Sequence, residues 1–162
     1  MAEKPEVVGV HDGGDGVWGV TSLIGGGDGH QEHPCAQCPW RRDTPVGRFP
    51  AEVFRHSART TYDLASEVFG CHMAGRDQPK TCAGFLLRGA SDNLAIRMRL
   101  RRQDFSGVRS EVELYDDYRE MAVANGVDPA DCALRSCRGD RPMEYAPDSE
   151  VGLTFSVTDE EG

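Results

Sequence analysis

The sequence predicts a small α+β domain that is mainly helical and is organised around a metal site with four cysteine ligands. Cys35 and Cys38 form a C-x2-C pair, and Cys71 and Cys82 follow further along the chain. Apolar residues between and after these cysteines recur mostly at helical spacing. The length of 162 residues suits one domain with a tail at each end. These three observations together predict one modest core built around the cysteines.

Charge and glycine content divide the chain into three segments. Residues 1–30 carry five acids and one lysine, and residues 147–162 carry five acids and no base, so the two ends account for the net charge of −9. Nine of the 19 glycines fall in residues 1–30, where ordering the backbone costs much entropy. We therefore expect a flexible Gly-rich segment at 1–30, a metal-binding domain at 31–146 and an acidic tail at 147–162.

The first half of the predicted domain alternates loops with short helices. Three prolines keep residues 31–48 extended or turning. Pro50 is suited to the first position of a helix that runs to about residue 58. The spacing of Leu64 and Val68 predicts one or two further helical turns at 61–68. Phe69 to His72 is predicted to be a turn or a short extended piece.

The second half is predicted to be helical. The stretch from Cys82 to Leu87 is predicted to open one helix. Residues 94–100 alternate as a strand would, but Leu, Ala, Met and Arg are helix formers, so a helix is favoured. A capping box at Ser110 predicts a helix that ends at Asn125-Gly126. A last short helix is expected from Asp128 to about Ser136.

Four converging soft donors are what a tetrahedral metal ion requires. The C-x2-C pair supplies two thiolates from one turn, and 32 residues separate Cys38 from Cys71. Pro39 and Gly70 control the backbone as a metal-binding knuckle needs. The predicted ligands are Cys35, Cys38, Cys71 and Cys82. His72 is the substitute ligand, or a hydrogen-bond donor to a ligand, because adjacent side chains usually diverge.

Zinc is the favoured metal, and a [4Fe-4S] cluster is the alternative because four thiolates suit both. Trp40, Phe69 and Phe85 could shield the sulfurs from water. Two non-metal interpretations remain: buried free cysteines that act as small hydrophobes, and a redox dithiol at Cys35/Cys38. Cys132 and Cys137 are expected to be free or buried thiols, since no other ligands stand near them.

The sequence shows neither a signal peptide nor an apolar run long enough to span a membrane. We therefore expect a cytoplasmic protein without membrane partners, where disulfides are disfavoured. The sequence also lacks a Ser-His-Asp signature, H-E-x-x-H and G-x-S-x-G, so an enzyme is less favoured. His30-x-Glu32 lies too close to Pro34-Cys35-x-x-Cys38 for a zinc deaminase.

Four stretches of the chain together resemble an uncharacterised family of small cysteine-motif proteins from actinobacteria and their bacteriophages. They are CxxCPWRRDxPxGxFP at 35–50, FxCHM at 69–73, CAGFLLRGA at 82–90 and NLAIR at 93–97. The resemblance covers about residues 33–100 and implies the four-cysteine set. It implies no activity, because the family is a domain of unknown function.

The sequence favours a non-catalytic, metal-stabilised binding or regulatory module with a protein partner, which for a phage protein would be a host component. An iron–sulfur redox or sensor protein is the alternative. Nucleic-acid binding is a second alternative, because arginines after the knuckle and around residue 100 could contact phosphate. The candidate anion-binding residues are Arg41, Arg42, Arg97 and Arg99.

Overall fold

The computed structural model describes the backbone of residues 6–12 and 19–24, and describes residues 29–74 and 78–137 in full. Strands β1 (Glu6–Asp12) and β2 (Gly19–Ile24) pair antiparallel, and β2 pairs with β3 (Val68–Phe69). The sheet order is β1-β2-β3. The segment expected to be flexible therefore contributes two strands, and valine, threonine and isoleucine in them have strand propensity. The predicted acidic tail lies outside the described residues.

Helix α1 (Ala51–Ser57) begins after Pro50, whose fixed φ suits a helix entry. A 3-10 turn (Ala58–Thr61) continues it. The helical turns predicted at 61–68 are wrong, because Leu64 has a φ of 59° and β3 begins at Val68. A left-handed residue interrupts a right-handed helix. The prediction of a short extended piece from Phe69 is confirmed, since Gly70 bridges to Thr81.

Helices α2 (Ala83–Arg88) and α3 (Leu94–Arg99) confirm the helices predicted after Cys82 and around residue 96. The Asn93 side chain caps α3 by accepting a hydrogen bond from the backbone N–H of Ile96 at 3.0 Å. Its amide also donates to the carbonyls of Thr60 and Glu67, so it joins α3 to the segment before β3.

Helix α4 (Tyr118–Ala124) ends near Asn125-Gly126 as predicted, and Gly126 has the positive φ of 96° that a glycine stop provides. Its predicted start at Ser110 is wrong. The Ser110 hydroxyl bonds to Val112 instead, and Asp117 caps the helix through the N–H of Glu120. The final predicted helix is reduced to a 3-10 turn (Cys132–Leu134) capped by Asp131.

The core is centred on Trp40, which is fully buried. Its ring makes edge-to-face contacts with Phe69 and Tyr118, at centroid distances of 6.0 and 5.7 Å. The indole also lies against the backbone of α2, where only glycine leaves room. A Cβ atom at Gly84 would lie 2.5 Å from the Trp40 Cβ, and one at Gly89 would lie 2.6 Å from the Trp40 Cη2. The loop that carries Cys38 is thereby held against α2.

We expect Gly84→Ala to destabilise the protein by about 1–3 kcal/mol, even though alanine is the better helix former. The added methyl group would meet Trp40 next to its own backbone, where the indole cannot swing aside. Gly107→Ala is the matched control, because its Cβ would meet only the end of the Glu32 side chain. Urea unfolding of both variants measures the difference. Equal stabilities would contradict this packing.

Candidate metal centre

Two parts of the chain bring the predicted cysteine ligands together. The first is the turn at Cys35–Cys38, closed by a hydrogen bond from the Cys38 N–H to the Cys35 carbonyl at 3.1 Å. The Thr44 hydroxyl donates to the Cys38 carbonyl at 2.7 Å. The Tyr115 N–H donates to the Trp40 carbonyl at 3.0 Å and so ties this loop to the segment before α4.

The second part is a pair of antiparallel extended segments that carry Cys71 and Cys82. The Cys71 N–H donates to the Lys80 carbonyl at 2.7 Å, and the Cys82 N–H donates to the Phe69 carbonyl at 3.0 Å. Cys82 is also the residue before α2. These two thiols, which have ten residues between them in the sequence, therefore come from opposite arms of one small hairpin.

The four thiols form a connected cluster. The Cys38 and Cys82 sulfurs lie 3.7 Å apart, and the side chains of Cys38 and Cys71 are the main influences on the pKa of the Cys35 thiol. The Cys35 Sγ also lies 3.2 Å from the Nε2 of His72. Cys38, Cys71 and Cys82 are buried, whereas Cys35 is half-buried, so the cluster opens to solvent on the Cys35 side.

His72 reaches the cluster although it is adjacent to Cys71. The chain turns after Cys71, where the Ala74 N–H donates to the Cys71 carbonyl at 3.2 Å, and the imidazole then faces Cys35. The Phe49 ring packs edge-to-face on this imidazole at 5.3 Å. Gln31, which the sequence reasoning missed, donates from Nε2 to the Cys71 Sγ at 3.5 Å. No spacing motif in the sequence signals that contact.

Shared hydrogen bonds divide the thiols into one acidic and two weakly acidic groups. Hydrogen bonds from Cys38 and then Cys71 hold the pKa of the Cys35 thiol well below its usual range, with His72 adding to the effect. The same sharing with Cys35 raises the pKa of Cys38 and of Cys71, and burial adds to both. A lowered pKa favours the thiolate form of Cys35, which is the form that attacks as a nucleophile or binds a metal.

Among the side chains that the structure describes, no set of three or more His, Cys, Asp or Glu groups is already arranged to hold a metal ion. The cysteines instead contact one another as thiols. For sulfurs about 2.3 Å from a tetrahedral ion, neighbouring sulfurs are about 3.8 Å apart. The 3.7 Å between Cys38 and Cys82 matches that spacing. The donor set thus fits a zinc ion in chemistry and in this one distance.

The aromatic residues predicted to shield the sulfurs, Trp40, Phe69 and Phe85, are all buried. Phe69 and Phe85 stack with their ring centroids 6.2 Å apart.

Cys132 and Cys137 are not part of the cluster formed by the other four cysteines. Cys132 is exposed, and Cys137 is buried against Thr61, whose hydroxyl donates to its sulfur at 3.3 Å. Burial raises the pKa of the Cys137 thiol, so the neutral form is favoured and the side chain packs as a small apolar group.

The four candidate anion-binding arginines all have partners within the protein. Arg41 pairs with Asp43, and Arg42 forms a two-pronged pair with Glu120. Arg97 donates to the Ser91 carbonyl. Arg99 is buried and donates to the Thr81 hydroxyl at 2.7 Å. These contacts give each guanidinium a structural role.

A mainly helical small domain with a buried cysteine cluster is the class that this fold and site define. The chain matches a family described as being of unknown function, DUF6283, over residues 30–138. It belongs to that family, and all four clustered cysteines lie within the matched range. No curated protein and no solved structure matches the chain. Within the described residues, no helix is long and apolar enough to cross a membrane.

We expect the pair between Arg42 and Glu120 to contribute stability that depends on pH. The hydrogen bond from Arg42 lowers the pKa of Glu120 below its ordinary value. Its contribution is therefore present above the unfolded pKa of about 4.3 and is lost as pH falls through the lower folded value. Urea midpoints of Glu120→Gln and the parent protein should differ at pH 6 and converge toward pH 3. A difference that is the same at both pH values would contradict this assignment.

Proposed function

We propose that residues 30–137 form a non-catalytic, metal-stabilised binding module in which one zinc ion joins the Cys35–Cys38 turn to the Cys71–Cys82 hairpin. The ligands are Cys35, Cys38, Cys71 and Cys82. The observation that carries the proposal is the thiol cluster itself, assembled from two separate parts of the chain. Zinc would add folding free energy to a domain whose helices are only six or seven residues long.

A single ion is favoured over an iron–sulfur cluster by the distance between two sulfurs. In a [4Fe-4S] cluster each cysteine binds a different iron atom, which spreads the sulfurs further apart than the ligands of one ion. The 3.7 Å between Cys38 and Cys82 is the shorter spacing of a mononuclear site. The site has no open position for substrate when four thiolates bind, and structural zinc sites share that property.

A protein is the partner that the surface around this site favours. Met73, directly after His72, is exposed to about 60% and is the apolar side chain that such a partner would contact. Nucleic acid is disfavoured because the four candidate arginines are engaged with protein groups. The module would thus hold Met73 in place near the proposed metal.

Metal analysis of anaerobically purified protein tests the proposal. We expect one zinc per chain, no colour, and the same content in Cys132→Ser, whose thiol is exposed and outside the cluster. Cys82→Ser should lose the zinc. Chelation should cost about 3 kcal/mol or more and lower the melting temperature by roughly 10 °C. A brown protein with absorbance near ~400 nm would contradict zinc, and a metal-free, fully stable protein would contradict any metal.

His72 is proposed to hold the Cys35 sulfur in place through the contact at 3.2 Å. We expect His72→Ala to retain one zinc but to bind it about 10–100-fold more weakly, because partners that orient a ligand usually contribute that much. Competition with a chromogenic chelator measures the change. Complete loss of zinc in this variant would show instead that His72 is itself a ligand.

A further inference from the structure

An apolar patch lies on the surface formed by α3 and the segment before β3. In the described residues, three of the most exposed large apolar side chains belong to it: Leu64 at 61%, Leu94 at 42% and Met98 at 51%. Leu94 and Met98 are one helical turn apart on α3. The Leu64 N–H donates to the Asp92 carbonyl and the Leu94 N–H to the Ala65 carbonyl, both at 2.9 Å. The two segments therefore present their apolar groups side by side.

Leu64 is held in this position at a conformational cost. Its φ of 59° is the left-handed conformation that a residue with a Cβ atom rarely adopts, and its side chain gains no burial from it. A strained residue persists when the structure around it fixes it, and such residues concentrate at functional surfaces. The exposed leucine is thus a feature that the fold maintains.

Positive charge borders the patch. Arg101 and Arg102 stand in the turn that follows α3, and both are exposed. Arg97 has 38% of its side chain exposed and lies 4.0 Å from the buried Asp92 carboxylate. Asp63, directly before Leu64, is an exposed acid in the same region. A partner for this surface therefore needs apolar side chains flanked by acidic ones.

We propose that the C-terminal segment of the same chain, residues 147–162, covers this patch. Its sequence alternates four apolar residues with small ones, Val151, Leu153, Phe155 and Val157. Alternation of this kind places the apolar side chains on one face of an extended segment. Acids stand on both sides of the apolar run, and the segment has five acids and no base. Its chemistry is complementary to a patch bordered by arginine.

The described chain ends close to the patch. Cys137 pairs antiparallel with Tyr62, two residues before Leu64. Residues 138–150 could span up to about 43 Å at about 3.3 Å per residue, which is ample to reach α3. A tethered segment also acts at an effective concentration in the millimolar range. The segment therefore outcompetes a second copy of the chain at ordinary protein concentrations. This proposal does not depend on the metal.

Photo-crosslinking of the full chain tests the proposal. A benzoylphenylalanine is placed at Met98 in one protein and at the equally exposed Val46 as a control, in a mixture of normal and nitrogen-15-labelled protein. We expect Met98 to cross-link to a peptide from residues 147–162 of its own chain, and Val46 not to do so. Cross-links between labelled and unlabelled chains would overturn the proposal in favour of a dimer. Cross-links that exclude the tail would overturn it outright.

A second measurement uses natural side chains only. Amide exchange of residues 94–100 is compared between the parent chain and the double variant Leu153→Asp/Phe155→Asp, which leaves the described domain unaltered. We expect exchange in α3 to be severalfold faster in the double variant, and unchanged in α4. Added salt should shift the parent chain toward the variant, because the arginine border is screened. Identical exchange in the two proteins would overturn the proposal.

Discussion

The close approach of Trp40 to the backbone of α2 is the constraint on which the rest of the domain depends. The indole occupies space that a methyl group on Gly84 or Gly89 would fill. It is fully buried and sits between Phe69 and Tyr118. Because Trp40 follows Cys38 by two residues, this packing fixes the Cys35–Cys38 turn beside the start of α2. Cys82 stands at that start, so core packing brings the two sulfurs together.

Backbone hydrogen bonds connect Cys71 to this arrangement. The hairpin bonds from Cys71 to Lys80 and from Cys82 to Phe69 hold Cys71 and Cys82 on facing arms. The Tyr115 N–H anchors the first loop at the Trp40 carbonyl. Buried thiols give such a cluster little stability of their own, since sulfur is a weak hydrogen-bond partner. The proposed zinc ion would turn a set of weak contacts into strong bonds between distant segments.

The sequence predicted those features that local chemistry determines. Pro50 predicted the start of α1, and Asn125-Gly126 predicted the end of α4. The residue types predicted α3 as a helix, although apolar residues alternate there as they would in a strand. The predicted helices that were wrong lie where contacts with distant residues replaced the local helical preference. The capping box at Ser110 was overridden because Leu114 pairs with Arg41, and the expected turns at 61–68 were overridden because Leu64 bonds to Asp92. Both contacts join residues far apart in sequence, which a local pattern does not encode.

The sequence singled out the four cysteines that are proposed as metal ligands, which stays a prediction, but it did not give the contacts around them. Spacing and residue type singled out the four cysteines, and the structure brings their thiols into one cluster. The sequence predicted His72 as a substitute ligand or a hydrogen-bond donor to a ligand, and its Nε2 lies 3.2 Å from the Cys35 Sγ. That approach depends on the turn after Cys71, which the sequence did not predict. The partners of Arg42 and Arg99 could not be predicted either, because Glu120 and Thr81 lie on other elements. Those contacts decide whether a basic residue is available to a ligand.

X-ray absorption at the zinc edge of protein purified from cells tests the central claim most directly, because it reports the ligand atoms themselves. The account predicts one zinc per chain with four sulfur neighbours at about 2.3 Å. Zinc surrounded by nitrogen and oxygen, or protein that carries no zinc at all, would contradict it.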